Sequence, residues 1–153
     1  MEGKLIASNK KARHDFFFED IIEAGIVLTG TEIKSARAGG ISLRDSFAKV
    51  DDHGEVWAYG VNISPYEQGN RFNSEPLRPK KLLLHKVEIR KINQKLMQDG
   101  LTLIPVQVYL NSKGKLKMEL AIARGKKLYD KREDIAKRDA KRNIDRQMKE
   151  RSR

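Results

Sequence analysis

Three sets of residues in this chain are of types that could do chemistry. Asp51, Asp52, His53 and Glu55 bring carboxylates and an imidazole into one short stretch, a combination able to hold a divalent cation. Their setting argues against that use. Apolar strand patterns flank them and Gly54 completes a polar turn, where carboxylates are solvated or cap the turn. His14 and Asp15 put a base beside an acid, but neighbours in an extended strand point to opposite faces, so no dyad is expected there. Ser, His and Asp residues occur without a nucleophile-elbow or phosphate-loop motif around them. The chain has no cysteine, which removes thiolate nucleophiles, thiolate metal sites and disulfides together. No catalytic residue, metal ligand or cofactor is expected, and a metal-dependent nuclease, the rival from the enzyme class, would rest on residues 51–55 alone.

The other candidates bind. Asn9, Lys10, Lys11, Arg13 and His14 combine an amide, cations and an imidazole ahead of the first long strand. That mixture suits phosphate contact with base stacking or hydrogen bonding, and it equally suits a solvated lead-in. Lys113, Lys115 and Lys117 alternate with Leu116, Met118 and Leu120, so period-2 geometry makes either a positive stripe or a merely solvated strand face. Glu23 and Glu32 are acids that an RNA interface can use only as acceptors, from guanine N–H groups or a 2′-hydroxyl. Each such contact is worth ~1–3 kcal/mol by analogy with base readout in DNA. Trp57, Tyr59, Val61 and Ile63 fall on one expected strand face, read as core packing in preference to a base-stacking platform.

Composition narrows the partner. With 32 Lys+Arg against 21 Asp+Glu the formal charge is +11, which favours a polyanion. The excess is uneven: residues 124–153 hold 13 basic and 6 acidic side chains. A membrane is the weaker partner. No apolar run approaches the roughly 18 residues that span a bilayer, and the first residues lack a signal-peptide pattern, so a soluble, cytoplasmic protein is expected.

At 153 residues the chain is long enough for one core with appendages. Residues 14–123 read mainly as strands. A bent first strand begins at Phe16-Phe17-Phe18, with Gly25 and Gly30 as relief points. Residues 31–37 read as one or two helical turns stopped by Gly39 and Gly40. Hairpins are expected around residues 51–54 and 111–114. Between them a Pro-punctuated loop leads into a helix carrying Ile89, Ile92 and Leu96 and ended by Gly100. Five or six strands with a late helix predict a mainly β fold, a small closed antiparallel barrel of the oligonucleotide-binding type with packed helices. Residues 1–129 would form this domain. From Asp130 the chain offers only a thin stripe of Ala136, Ala140, Ile144 and Met148 among basic residues. Such a helix buries too little to offset its ordering entropy, so 130–153 is expected to be disordered when free and helical on a polyanion.

Three stretches, in this order and spacing, resemble the small protein B family, the bacterial SsrA-binding proteins. They are Asn9-Lys10-Lys11-Ala12-Arg13-His14-Asp15, Gly30-Thr31-Glu32-Ile33-Lys34-Ser35-Ala36-Arg37-Ala38-Gly39 and Gly125-Lys126-Lys127-Leu128-Tyr129-Asp130-Lys131-Arg132. The resemblance implies a barrel that grips the tRNA-like domain of transfer-messenger RNA near its elbow. It also implies a basic tail that enters the decoding region of the small ribosomal subunit, where codon–anticodon pairing is missing. The process is trans-translation, with elongation factor Tu an indirect partner through the RNA and the chemistry left to others. The resemblance points to Glu23, Leu83 and Lys117 as RNA-site positions, with Leu83 open between core and contact. Glu32, Lys34, Arg37, Lys126 and Lys127 from its motifs, and Arg124 beside them, complete the expected RNA-binding set. It assigns the ribosome-contacting tail to Tyr129, Asp130, Lys131, Arg132, Lys137, Arg138, Lys141 and Arg142. The sequence departs from the pattern at Ala36, where Leu is common, and at Ala140, where an aromatic is common. A general single-strand binder, the alternative, would want exposed aromatics along a groove, whereas aromatics are 7% here and sit mostly in apolar strand patterns.

Overall fold

The computed structural model describes residues 3–66, 73–98 and 100–126. The expected tail therefore lies outside the described residues, as do Lys127, Tyr129, Asp130, Lys131, Arg132, Lys137, Arg138, Lys141 and Arg142.

The long strand β2 (Phe16–Ile26) serves two clusters because one extra residue interrupts it. Its pairing with β9 (Leu116–Gly125) shifts register between Phe18 and Asp20. A bulge turns the side-chain alternation over. Phe16 and Phe18 pack in an outer cluster with Ala121 and Ala123, while Ile22 and Ala24 are buried in the main core. β8 (Leu101–Leu110) repeats the device, shifting register between Pro105 and Gln107. Leu103 and Val108 face the main core and Ile104 and Val106 the outer cluster. Pro105, with no N–H to give a ladder, sits at that irregularity.

β4 (Phe47–Val50), β5 (Val56–Tyr59) and β7 (Lys80–Leu83) complete the sheet. Pairing runs β8-β4-β5-β7-β2-β9 and returns from β9 to β8, so six antiparallel strands close into a ring. Both expected hairpins are present, with Gly54 and Gly114 at φ 77° and 75° in their turns. β1 (Lys4–Ser8) adds to the C-terminal half of β8, and β3 (Ile41–Ser42) pairs with β6 (Asn62–Ile63) as a separate ribbon. Closure leaves helix side chains only the open ends as a way in. α2 (Gly30–Arg37) contributes Ala36 at the end near Gly114, and α3 (Lys86–Leu96) contributes Ile92 at the end near Leu101. The mainly β expectation, with helices packed on a closed antiparallel sheet, is met.

Four local expectations are corrected. The lead-in before β2 is ordered as β1 and the helix α1 (Lys10–Asp15), because Asn9 caps the helix and Ala12 plugs the outer cluster. That helix also overturns the expectation for His14 and Asp15: off a strand, neighbours can meet, and His14 Nδ1 lies 3.0 Å from Asp15 Oδ1. The end of the expected Pro-punctuated loop and the start of the helix expected after it form strand β7, where Lys80 and Leu82 face in and Lys81 and Leu83 face out. Trp57 and Tyr59 do not share a face with Val61 and Ile63. Val56 and Ala58 take the inward positions of β5, and Gly60 at φ 76° breaks the alternation before Val61.

Candidate nucleic-acid interface

The outer face at the C-terminal end of β2 gathers the residues best placed to receive a ligand. Gly25 is paired with Leu83 of β7 on one side and with Lys117 of β9 on the other, so the three stand in a row across the sheet. Lacking a side chain, Gly25 leaves a trough between its neighbours; a Cβ there would approach the Leu83 Cβ to 3.3 Å. The trough opens into a groove of about 330 Å³ bounded by Leu28, Ile33, Arg37, Leu83 and Lys117. Arg37 donates from Nη2 to the Gly114 carbonyl at 2.9 Å, which ties α2 to the β8–β9 turn. Lys113 sits in that turn, Lys115 directly after it, and Lys117 faces outward from the strand. Leu83 is 55% exposed, which settles its position: it is a rim residue and not core.

Glu23, two residues before Gly25, shares this face. Its carboxylate accepts a hydrogen bond from the phenol of Tyr109, which reaches across from β8. Tyr109 is buried, and burial together with the Glu23 carboxylate pushes its phenol well above the ordinary tyrosine range, so it remains a donor. One Glu23 oxygen is thereby held and the side chain is aimed while staying exposed.

Glu32 has the opposite setting. It is 4% exposed at the third position of α2, where it completes a capping box by accepting from the Thr29 N–H at 2.8 Å. Arg78 donates to both its oxygens, at 2.5 and 3.3 Å. Burial raises the carboxyl, but the Arg78 guanidinium and the Thr29 N–H outweigh it and hold it below the usual range. Asn9 is likewise internal: Nδ2 donates to the Leu43 and Pro105 carbonyls and Oδ1 accepts from the Ala12 N–H. Asp51 accepts from the N–H groups of His53 and Glu55 and from Trp57 Nε1, so its carboxylate organises the turn.

A second group of cations lies at the other end of β2, roughly 30 Å along the strand at about 3.3 Å per residue. Lys10 is exposed on α1, Lys11 pairs with Asp45 at 3.1 Å, and Arg13 lies over the Phe18 ring. His14 is 88% exposed. Here β2 meets the end of β9: Arg124 donates to Glu19 at 3.1 Å and Lys126 sits over Phe17. Lys34 stands apart on α2 over the ring of Tyr66. Among the described residues, the expected binding set thus divides into an outer groove, an end cluster, the separate Lys34 and two scaffold residues.

Sequence reasoning missed Tyr109, Arg78 and Lys80. Lys80 is fully buried, its Nζ donating to the Val61 and Pro76 carbonyls at 2.6 and 2.7 Å, and desolvation lowers its pKa to about 8. The run Lys80-Lys81-Leu82-Leu83 has no apolar–polar alternation, so nothing in the sequence marked Lys80 as inward. No sequence signal pairs Tyr109 with Glu23 or Arg78 with Glu32.

Residues 6–150 match the family described as SmpB protein. The chain belongs to that family. The SsrA-binding protein of Acetivibrio thermocellus is 62% identical over 149 residues, covering 97% of this chain and 96% of the relative. That of Ruminiclostridium cellulolyticum is 61% identical over 147 residues, covering 96% and 94%. A solved structure described as "tmRNA-SmpB: a journey to the center of the bacterial ribosome" superposes with a TM-score of 0.66 at 47% identity, covering 78% of this chain and 82% of its own. The SmpB match runs past Lys126, the last described residue, and so takes in the basic tail.

Proposed function

We propose that this chain binds transfer-messenger RNA through its tRNA-like domain and delivers it to stalled ribosomes for trans-translation. The observation that carries the proposal is near-full-length identity above 60% to proteins named for binding SsrA. The outer groove is the part we assign to the RNA elbow. Glu23 accepts from a base edge or a 2′-hydroxyl, Leu83 packs against a sugar or base, and Lys117 and Arg37 contact phosphates, with Lys34 a further phosphate contact outside the groove. Lys10, Lys11, Arg13, His14, Arg124, Lys126 and Lys127 form a second basic contact, while Asn9 and Glu32 hold the scaffold that presents both.

In this reading residues 1–129 are the RNA-binding domain, ending at Tyr129 where the ribosome-contacting set begins, and 130–153 carry the rest of that set, Asp130, Lys131, Arg132, Lys137, Arg138, Lys141 and Arg142, to the decoding region. Elongation factor Tu is met through the RNA. The chain supplies contacts and shape, leaves catalysis to its partners and works in the cytoplasm. Among the described residues no helix is long and apolar enough to cross a membrane.

A purified translation system stalled on a message without a stop codon tests the proposal. With transfer-messenger RNA present, adding the chain should release a tagged product; no tagging would defeat the reading. Truncation after Tyr129 should keep RNA binding, since the sheet ring closes with residues before 127, and should abolish rescue. Full rescue by the truncated chain would overturn the role given to the tail.

A further inference from the structure

The outward side chains of the β4–β5 hairpin form a patch that the groove and the end cluster leave unused. Phe47 and Tyr59 are cross-strand partners, their rings stacked 5.4 Å apart at 17° from parallel. The next pair outward on the same face is Lys49 with Trp57, and Lys49 Nζ lies 5.4 Å from the centre of the Phe47 ring. Lys81 of β7 follows as the cross-strand partner of Trp57, its Nζ 3.1 Å from Glu55. Trp57 is fixed by its indole N–H, which donates to Asp51 at 3.0 Å.

A cross-strand aromatic pair stabilises a hairpin by itself. That explains the stack. It does not explain why Phe47 stays 39% exposed, with Tyr59 and Trp57 half-buried beside it and lysines set at two corners. Flat faces interleaved with cations match what an unpaired nucleic-acid strand presents: bases with exposed π-faces and one phosphate per nucleotide.

We propose that the outer face of β4 and β5 is a stacking site for unpaired RNA nucleotides, with Phe47 and Tyr59 receiving bases and Lys49 a phosphate. The site adjoins the groove, because Lys81 and Leu83 occupy the same face of β7 between them. An unpaired segment beside a bound RNA elbow would reach it over one strand. The site needs only a single strand, so it stands or falls independently of the transfer-messenger reading.

Trp57 is the single tryptophan of the chain and reports on the site directly. The full-length protein is titrated with an unstructured uridine hexamer and, separately, with inorganic polyphosphate of matched charge, following Trp57 fluorescence. The hexamer should quench the emission and polyphosphate should not. Phe47→Leu and Tyr59→Leu, which keep apolar bulk and remove the π-face, should each weaken hexamer binding about fivefold or more. Lys49→Gln should lower the log–log salt slope by about 0.7, the share of one single-strand phosphate contact. Lys49 is exposed, so this variant remains informative if either aromatic substitution disturbs the fold. Equal quenching by polyphosphate would overturn the proposal. So would wild-type hexamer affinity in both leucine variants, or an unchanged salt slope in Lys49→Gln.

Discussion

Glu23 and Glu32 stand on neighbouring elements and carry the same functional group, yet the fold gives them opposite tasks. Glu32 is buried at the start of α2 with both oxygens engaged by Arg78 and one also by the Thr29 N–H. Glu23 is exposed on the outer sheet face and held through Tyr109. The difference follows from where each residue falls relative to the sheet and not from its type. An acid at a helix N-terminus is drawn into the capping box and the macrodipole, whereas one at an outward strand position keeps acceptor capacity for a partner.

The contrast can be broken most forcefully at Glu32. Glu32→Ala leaves Arg78 without its carboxylate and removes half of a capping box. With Arg78 itself 34% exposed, the loss should be about 2–3 kcal/mol, or about 5–10 °C in thermal midpoint. A midpoint within a degree of wild type would mean that the pair is not structural. Glu23→Ala or Lys117→Ala should instead leave the midpoint nearly in place and weaken binding to the tRNA-like RNA about tenfold, the size of one lost base or phosphate contact. Unfolding in these variants would show that Glu23 and Lys117 are structural residues mistaken for binding ones.

Tyr109→Phe sharpens the contrast further. Removing only the phenol oxygen should weaken RNA binding a few-fold and add nothing in a Glu23→Ala background, because both changes act through the same carboxylate. Independent, additive losses would separate Tyr109 from the site. The thermal midpoint should also respond to pH through Lys80. Its folded pKa of about 8 lies below the ordinary 10.5, so between those values the unfolded chain binds more protons and stability from this group rises with pH. Below about pH 8 the burial penalty is fully in force. The thermal midpoint of wild type minus that of Lys80→Met should therefore grow from pH 7 to pH 10; a flat difference would show that Lys80 titrates normally.

Much of this was legible in the chain. Alternation located β4, β5, β8 and β9, the polar glycine-bearing turns located both hairpins, and Gly39-Gly40 stopped α2 where expected. The misses have physical causes. β1 is set by pairing with the far half of β8, a long-range partner that local pattern does not announce. β7 was hidden because Lys80 occupies an inward position, which an apolar–polar reading assigns to solvent. The outward turn of Trp57 and Tyr59 depends on a break at Gly60, and the Tyr109–Glu23 contact joins residues on two strands separated by β9.

The central claim is that the outer groove reads a folded, tRNA-like shape. The most direct test is a gel-shift comparison, at one fixed salt concentration, of a tRNA-like domain, a bare hairpin and a single strand, with Lys117→Ala alongside wild type. The wild type should clearly prefer the tRNA-like domain, and Lys117→Ala should selectively lose that preference. Equal binding of all three RNAs by the wild type, or an unchanged preference in the variant, would contradict the central claim.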